Sequence, residues 1–387
     1  MKKFLITISA IGAALLLLGV GIFTAVFASN DWDITNIDPE TLTADYFETD
    51  KEIEGLFLVG TWFYEIELGD SFRIDFYRSD MTTLEISTQI GESGAYTLSF
   101  IETQSMTFPN FGLMGVMRAT SNMYTVRITV TREIMLQVTA SSADITANDI
   151  NFSRINVSGS STALNLTNVN VASGIVMTGS SRWMNFYNVT AGSIISEGSN
   201  LRAYFNNVIF SDAATFGGSS KSISSNYLTT RNIKLSGSNL NFVAGNLNAN
   251  NIHADGSSMG INIVDSRLYG IRTEGSNSRI TIRNSTVRDV NIVRGSSVRV
   301  FAYASHMLSL TSSGSSTRAY LELYGTMDNV RYVEMSGSNT RIYIDGSRQN
   351  AQRILGAGEN ASKTFRLDGS SVRISLSFLG GVSNFAG

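Results

Sequence analysis

The chain has 387 residues, 29 basic and 32 acidic side chains, a net charge of −3, two prolines, 34 glycines and no cysteine. Without cysteine there can be no disulfide framework, lipid-modified cysteine or thiolate metal site, and with two prolines the turns fall to Gly, Ser and Asn. The length would hold two or three ordinary domains, but the repetition described below fits one elongated array with a smaller domain.

Lys2 and Lys3 precede an apolar run from Phe4 to Ala28. At about 25 residues the run exceeds a signal-peptide core and is long enough to span a bilayer, with its positive end in the cytoplasm. Residues 1–30 are therefore expected to be an uncleaved anchor that crosses the membrane through residues 4–28. The alternative is a signal sequence cut near Ala28, where Val26-Phe27-Ala28 offers small residues. Either way, the chain after Ser29 is expected outside the cytoplasmic membrane.

Residues 31–55 carry Asp31, Asp33, Asp38, Glu40, Asp45, Glu48 and Asp50 and read as an acidic linker. From Asp31 to Glu102 there are seventeen acids against three bases, and from Gln104 onward fifteen acids against twenty-four bases. An acidic stretch beside an anionic membrane is repelled by it and would hold the basic array away; a plain solvated linker explains the same composition.

Residues 56–123 alternate as strands do, at Tyr64 to Leu68, Phe72 to Tyr77 and Tyr96 to Phe100. They are expected to form a β region that caps the array, antiparallel or as its first irregular coils. Phe108-Pro109-Asn110-Phe111-Gly112 reads as a loop.

Residues 124–387 form the array. Glycines recur every nineteen or twenty residues, at Gly159, Gly179, Gly198, Gly217, Gly237, Gly256, Gly275, Gly295 and Gly314, and the register returns at Gly337 and Gly369. A period of this size marks a solenoid. Counting the glycine as zero, positions five and seven are apolar and should face a core, while four and six should face solvent. A second apolar beat falls at Val169, Val189, Val208, Leu247, Leu268 and Val287. Stacked parallel coils put identical residue types about 4.8 Å apart, which explains their recurrence at identical offsets. The expected fold is thus all-β, a single-chain parallel β-solenoid of 19–20-residue coils behind an N-terminal transmembrane helix and a small β region. Some eleven or twelve coils would make a rod on the order of 50–60 Å. The Gly-Ser corners are expected to exploit the positive φ open to glycine, and Gln349 to Gly358 to project as a loop or short helix.

The line Tyr124-Thr-Val-Arg-Ile-Thr-Val-Thr-Arg-Glu-Ile-Met-Leu-Gln-Val-Thr-Ala-Ser-Ser-Ala-Asp-Ile-Thr-Ala147 resembles the start of the repeats in bacterial putative-adhesin domains. The corners Ser158-Gly-Ser-Ser, Ser236-Gly-Ser-Asn and Ser336-Gly-Ser-Asn are similar to theirs. The resemblance covers residues 56–387 and rests on short motifs. It implies a membrane-anchored or exported β-solenoid at the cell surface and carries no catalytic residues. This chain departs from that family in having Ser or Asn where its corner acid stands, and in lacking the proline before the first coil.

No phosphate loop, nucleophile elbow, zinc signature or calcium-binding nonapeptide occurs. His253 and His306 sit at non-equivalent offsets without partners at metal-ligand spacing. Neither catalytic, cofactor nor metal residues are expected. A polysaccharide-acting β-helix would need converging carboxylates, whereas Asp212, Asp255, Asp265, Glu274, Asp289, Glu322, Asp328 and Asp345 are sparse. Asn-X-Ser/Thr triplets at Asn151, Asn156, Asn165, Asn188, Asn284 and Asn360 read as turn and ladder asparagines.

The candidate site is a stripe at position four, Arg202, Lys221, Arg279, Arg299, Arg318, Arg341 and Arg373, flanked at position six by Tyr204, Phe301, Tyr320 and Tyr343. Stacked guanidinium groups and aromatic faces suit an anionic cell-wall polymer or another surface protein. The competing account is that the arginines keep an exposed sheet soluble, their stems packed over tyrosines. Nucleic acid is not an expected partner of an exported chain with net negative charge. The alternative is a scaffold role through self-association, with the apolar tail Phe378 to Gly387 pairing rod ends, or a part in an envelope-stress module.

Overall fold

The computed structural model describes residues 43–60, 62–78, 82–90, 96–104, 125–350, 353–355 and 361–380. The expected membrane segment, the Phe108–Gly112 loop and the last seven residues lie outside them. Apart from a single 3-10 turn at Met327–Asn329, the described elements are strands joined into one sheet system. Among the described residues, no helix is long and apolar enough to cross a membrane.

The solenoid begins at Ile134–Asn148 and advances in parallel register. Asn151–Val171 pairs with Ile175–Ala191, which pairs in turn with Ile194–Gly217, every residue opposite its equivalent nineteen or twenty positions on. The inward positions are those the period predicts. In Asn277–Arg283, Ile280 and Ile282 are buried while Arg279 is exposed, and the second apolar beat at Val169, Val189, Val208, Leu247, Leu268 and Val287 is buried. Phe186, Phe205, Phe210 and Phe216 pack around one another in the core, with Phe205 5.3–5.9 Å from the other three.

Two of the corners at which the coil turns are fixed by the sequence in different ways. At the glycine corner the coils approach too closely for any side chain: a Cβ built on Gly275 would collide with the Gly256 carbonyl oxygen, and one on Gly198 with that of Gly179. Positive φ contributes at Gly198 (+151°) but is not what selects Gly275. Close approach, not conformational freedom, is the general reason for the motif. The sequence reading places Gly217 in this column; the structure places Gly218 there, against Gly198 and Gly237, because this coil is one residue longer.

The opposite corner is a column of left-handed residues, Asp149, Asn168, Asn188, Asn207, Asn246, Asp265 and Asn284 among them, with φ between 46° and 55°. Asn and Asp accept this conformation most readily after glycine. Their side chains also bond between coils: Asn168 Nδ2 donates to Asp149 Oδ1 at 2.8 Å, Asn188 to Asn168 at 2.9 Å and Asn207 to Asn188 at 2.8 Å. Where Tyr227 takes the column, Asn246 bonds Asn226 instead. A buried serine ladder adds to this. The amides of Leu247, Ser266 and Ser285 donate to the hydroxyls of Ser266, Ser285 and Ser305 in the next coil.

Both ends depart from chain order. Ile53–Val59 and Phe63–Leu68 stack directly on the first coil, and Tyr96–Gln104 and Thr125–Val130 lie outside them. Antiparallel Thr43–Thr49, Phe72–Arg78 and Thr82–Ile90 complete the end. Thr43–Thr49 falls within the stretch expected to be a linker: alternate residues from Ala44 to Asp50 are more buried against Phe72–Arg78. At the far end, Ser371–Leu379 inserts between Ser316–Tyr324 and Asn339–Ile344. Phe378 and Leu379 pair with Leu323 and Tyr324, and residues 381–387 of the tail expected to join rod ends lie outside the described residues. The region expected to project contributes the short antiparallel strands Ser347–Gln349 and Arg353–Leu355. Among the described residues, these short antiparallel strands cover part of the outer edge that another chain could use as a template.

The corner account predicts that Gly275→Val lowers stability by at least about 2 kcal/mol, because overpacking against backbone cannot relax. Gly380→Ala, which has open space around its Cβ, should leave the thermal midpoint unchanged. Equal midpoints for the two variants would refute the close-approach explanation.

Candidate functional site

The stripe resolves into two separate patches. One column of outward residues runs Ala163, Trp183, Arg202, Ser222, Asn241, Gly260, Arg279, Arg299, Arg318, Arg373 and Arg341. Three uncharged rungs thus separate Arg202 from Arg279. Beyond them, the inserted C-terminal strand puts Arg373 between Arg318 and Arg341, so five arginines occupy consecutive rungs. The neighbouring column holds Phe301, Tyr320, Ser375 and Tyr343 in that order. Tyr204 belongs with Arg202 in the other patch.

Within the five-rung ladder, the arginines divide by their contacts. Arg279 lies 5.0 Å from the Phe301 ring centroid. Because Ser375 is small, the rung between Tyr320 and Tyr343 has room for the Arg373 guanidinium, 5.7 and 4.6 Å from their centroids. Phe301 and Tyr320 stack with centroids 5.3 Å apart and planes 6° apart. Arg299, Arg318 and Arg341 are exposed and have neither ring contact nor ion pair among the described residues. Adjacent like charges at this spacing repel by about 1 kcal/mol in water, comparable with the roughly 0.5–1 kcal/mol of an exposed cation–π contact. Packing over rings therefore offsets the repulsion at Arg279 and Arg373, and nothing among the described residues does so for the other three.

Lys221 is not in the stripe. The extra residue before Gly218 shifts it one position, so Ser222 takes the outward rung and Lys221 points inward between Leu201 and Leu240, 3% exposed. Its ammonium donates to the carbonyls of Gly218 and Ser236. Two coils earlier in the same column is Arg182, also 3% exposed, donating to Ser196 Oγ at 2.8 Å and to the Asn200 and Gly217 carbonyls. Lys363 is a third buried cation, bonded to the Tyr324 carbonyl at 2.7 Å. Alignment at the third position after each glycine would have brought Arg182 out; the stripe at position four drew the eye past it.

These cations donate to backbone carbonyls and, at Arg182, to a serine hydroxyl; desolvation is their dominant effect, offset in part at Arg182 by the charge of Glu197. Burial, with the nearby Arg182 charge, pushes the Lys221 ammonium down to about 8, and burial lowers Arg182 and Lys363.

The remaining titratable groups are dispersed. Glu274 is gripped by Arg272 at 2.7 Å, with Arg294 at 3.6 Å and His253 at 3.8 Å, and the Arg272 hydrogen bond holds its carboxyl below the usual range. His306 stacks on Tyr324 at 5.0 Å, and burial followed by the Lys363 charge lowers its pKa. Among the described residues, no group of three His, Asp or Glu side chains is placed to hold a metal ion.

Lys221→Met should be neutral or stabilising near pH 7, since a buried charge without a counter-ion is exchanged for an apolar chain of similar length. The unfolded chain keeps this proton up to about 10.5 and the folded chain up to about 8. Between those values the unfolded state binds more protons, so wild-type stability should rise with pH relative to the variant. Denaturant titrations at pH 7 and 10 read this; a gap that widens at pH 10 contradicts it.

No protein-family model matches this chain, and no curated protein does. Solved structures are matched at low similarity, two of them as follows. One is a putative cell adhesion protein from Clostridium sporogenes ATCC 15579, 7% identical with a TM-score of 0.21, over 88% of this chain and 100% of that one. The other is a putative adhesin from Bacteroides fragilis NCTC 9343, 10% identical with a TM-score of 0.25, over 68% of this chain and 95% of that one. At these values neither carries an argument, and the solenoid stands on the chain's own ladder of paired residues.

Proposed function

We propose that this protein is a non-enzymatic, exported, membrane-tethered surface protein whose arginine ladder binds an anionic polymer of the cell envelope. The observation that carries the reading is the unbroken run Arg279, Arg299, Arg318, Arg373 and Arg341, in which three guanidinium groups have no counter-charge among the described residues. A rigid row of cations at the strand spacing matches a polymer with regularly placed phosphates or carboxylates, because guanidinium binds either through paired hydrogen bonds. The tethering rests on Lys2-Lys3 and the apolar run Phe4 to Ala28. The reading of no catalysis rests on carboxylates that are scattered along the array or, where two come together as Asp255 with Glu274 and Glu52 with Glu54 do, are engaged by arginines.

The test is co-sedimentation of residues 31–387 with bacterial cell walls, intact or stripped of anionic polymers, across a salt series. Binding should weaken with salt as screening grows, fall at least tenfold in Arg299→Glu/Arg318→Glu/Arg341→Glu, and be lost on stripped walls. Equal binding in all samples, or none, would leave the arginines as solvating groups.

A further inference from the structure

The other patch has a different chemistry. A groove of about 1130 Å³ runs along the rod over the first coils and past the glycine corner, from Asp144 to Ser222. Its aromatic residues are Trp183, 51% exposed, and, beyond Asp144, Trp62 and Phe63. Arg202, on the rung next to Trp183, covers one side of the Trp183 ring at 5.8 Å from its centroid. The rung on the other side is Ala163, which leaves a notch one residue wide. Beyond Ala163 the column continues with Asp144, so an indole and a carboxylate face one another across two strand spacings, about 9.6 Å. Asn165 stands beside the notch and donates from Nδ2 to Asp144 Oδ1 at 2.8 Å. That bond fixes the carboxylate and leaves Oδ2 free to accept. The Asn165 carbonyl and Trp183 Nε1 also have no hydrogen-bond partner among the described residues.

We infer that the notch over Ala163 is a seat for one pyranose ring of an uncharged glycan, stacked on Trp183 and hydrogen-bonded through its hydroxyls to Asp144 and Asn165. A pyranose offers both surfaces that the notch requires. Its C–H face packs on an indole, and its rim of hydroxyls supplies donors to a carboxylate and an amide oxygen. A flat aromatic ring would stack but has no such rim. An anionic unit would meet the Asp144 carboxylate at contact distance, and this separates the seat from the arginine ladder. The groove extends beyond the notch past Asn200 to Ser222, so neighbouring sugars of a chain laid along the rod have room. The inference is independent of the ladder reading: the two sites lie on one sheet but share no residue.

Calorimetric titration of the full-length protein in mild detergent with three neutral tetrasaccharides, of N-acetylglucosamine, glucose and mannose, tests it. Saturable binding of at least one is expected. Affinity should fall at least tenfold in Trp183→Ala and in Ala163→Leu, which keeps the indole but fills the seat. Arg299→Glu/Arg318→Glu should bind the same sugar as wild type does, whatever its behaviour on cell walls. Thermal melts establish that the variants are folded. The absence of binding to all three sugars would overturn the inference, as would affinity that survives either Trp183→Ala or Ala163→Leu within twofold.

Discussion

Everything in this molecule depends on the backbone ladder between successive coils. Each coil closes in nineteen or twenty residues and returns to the same point one strand spacing higher, so a side chain's neighbours are its own equivalents above and below. That constraint turns residue choice at one offset into a column. Columns of Ile, Leu, Val and Phe become the core, a column of Asn becomes a hydrogen-bonded corner, and a column of Arg becomes a line of charge. The glycine corner is where the constraint is tightest, since there the chains of adjacent coils leave no volume for a Cβ.

The same constraint explains what could be read from the sequence and what could not. The period, the inward offsets and the asparagine corners are local repeats, and Asn188 and Asn284 sit where that reading puts them, bonded to Asn168 and Asp265. Lys221 was misplaced because Gly217-Gly218 offers two glycines to count from, and the extra residue in that coil decides between them. Alternation then reverses the residue's face, as a one-residue slip always does in a strand. The order of the last coils was hidden for a different reason. Pairing of Ser371–Leu379 with Ser316–Tyr324 spans more than one repeat, and no local pattern records which rung a returning strand fills. The groove was hidden because Asp144, Ala163 and Trp183 break the repeat; a site made of exceptions does not appear in a consensus.

The proposed function follows from how the columns are decorated. Along one outward column the rod passes from an alanine notch beside Trp183, through the uncharged rungs Ser222, Asn241 and Gly260, to five arginines. A stiff frame carries both patches in one line, which suits contact with extended polymers better than enclosure of a small molecule. The buried cations Arg182 and Lys221 beneath the groove cost desolvation that leucine, present at the rung between them, would not. Their hydrogen bonds go to corner carbonyls, those of Gly217 and Ser236 among them.

The C-terminal strand inserts out of chain order and so places Arg373 between Arg318 and Arg341, over the rings of Tyr320 and Tyr343. Because the chain lacks cysteine, paired cysteines can be introduced cleanly, and adjacent parallel rungs lie within disulfide reach. Tyr320→Cys/Ser375→Cys should form a disulfide on mild oxidation, because those residues are direct partners, whereas Tyr320→Cys/Tyr343→Cys, two rungs apart, should not. Rapid closure of the second pair and failure of the first would mean that the coils stack in chain order, and Arg373 would not lie between the rings of Tyr320 and Tyr343.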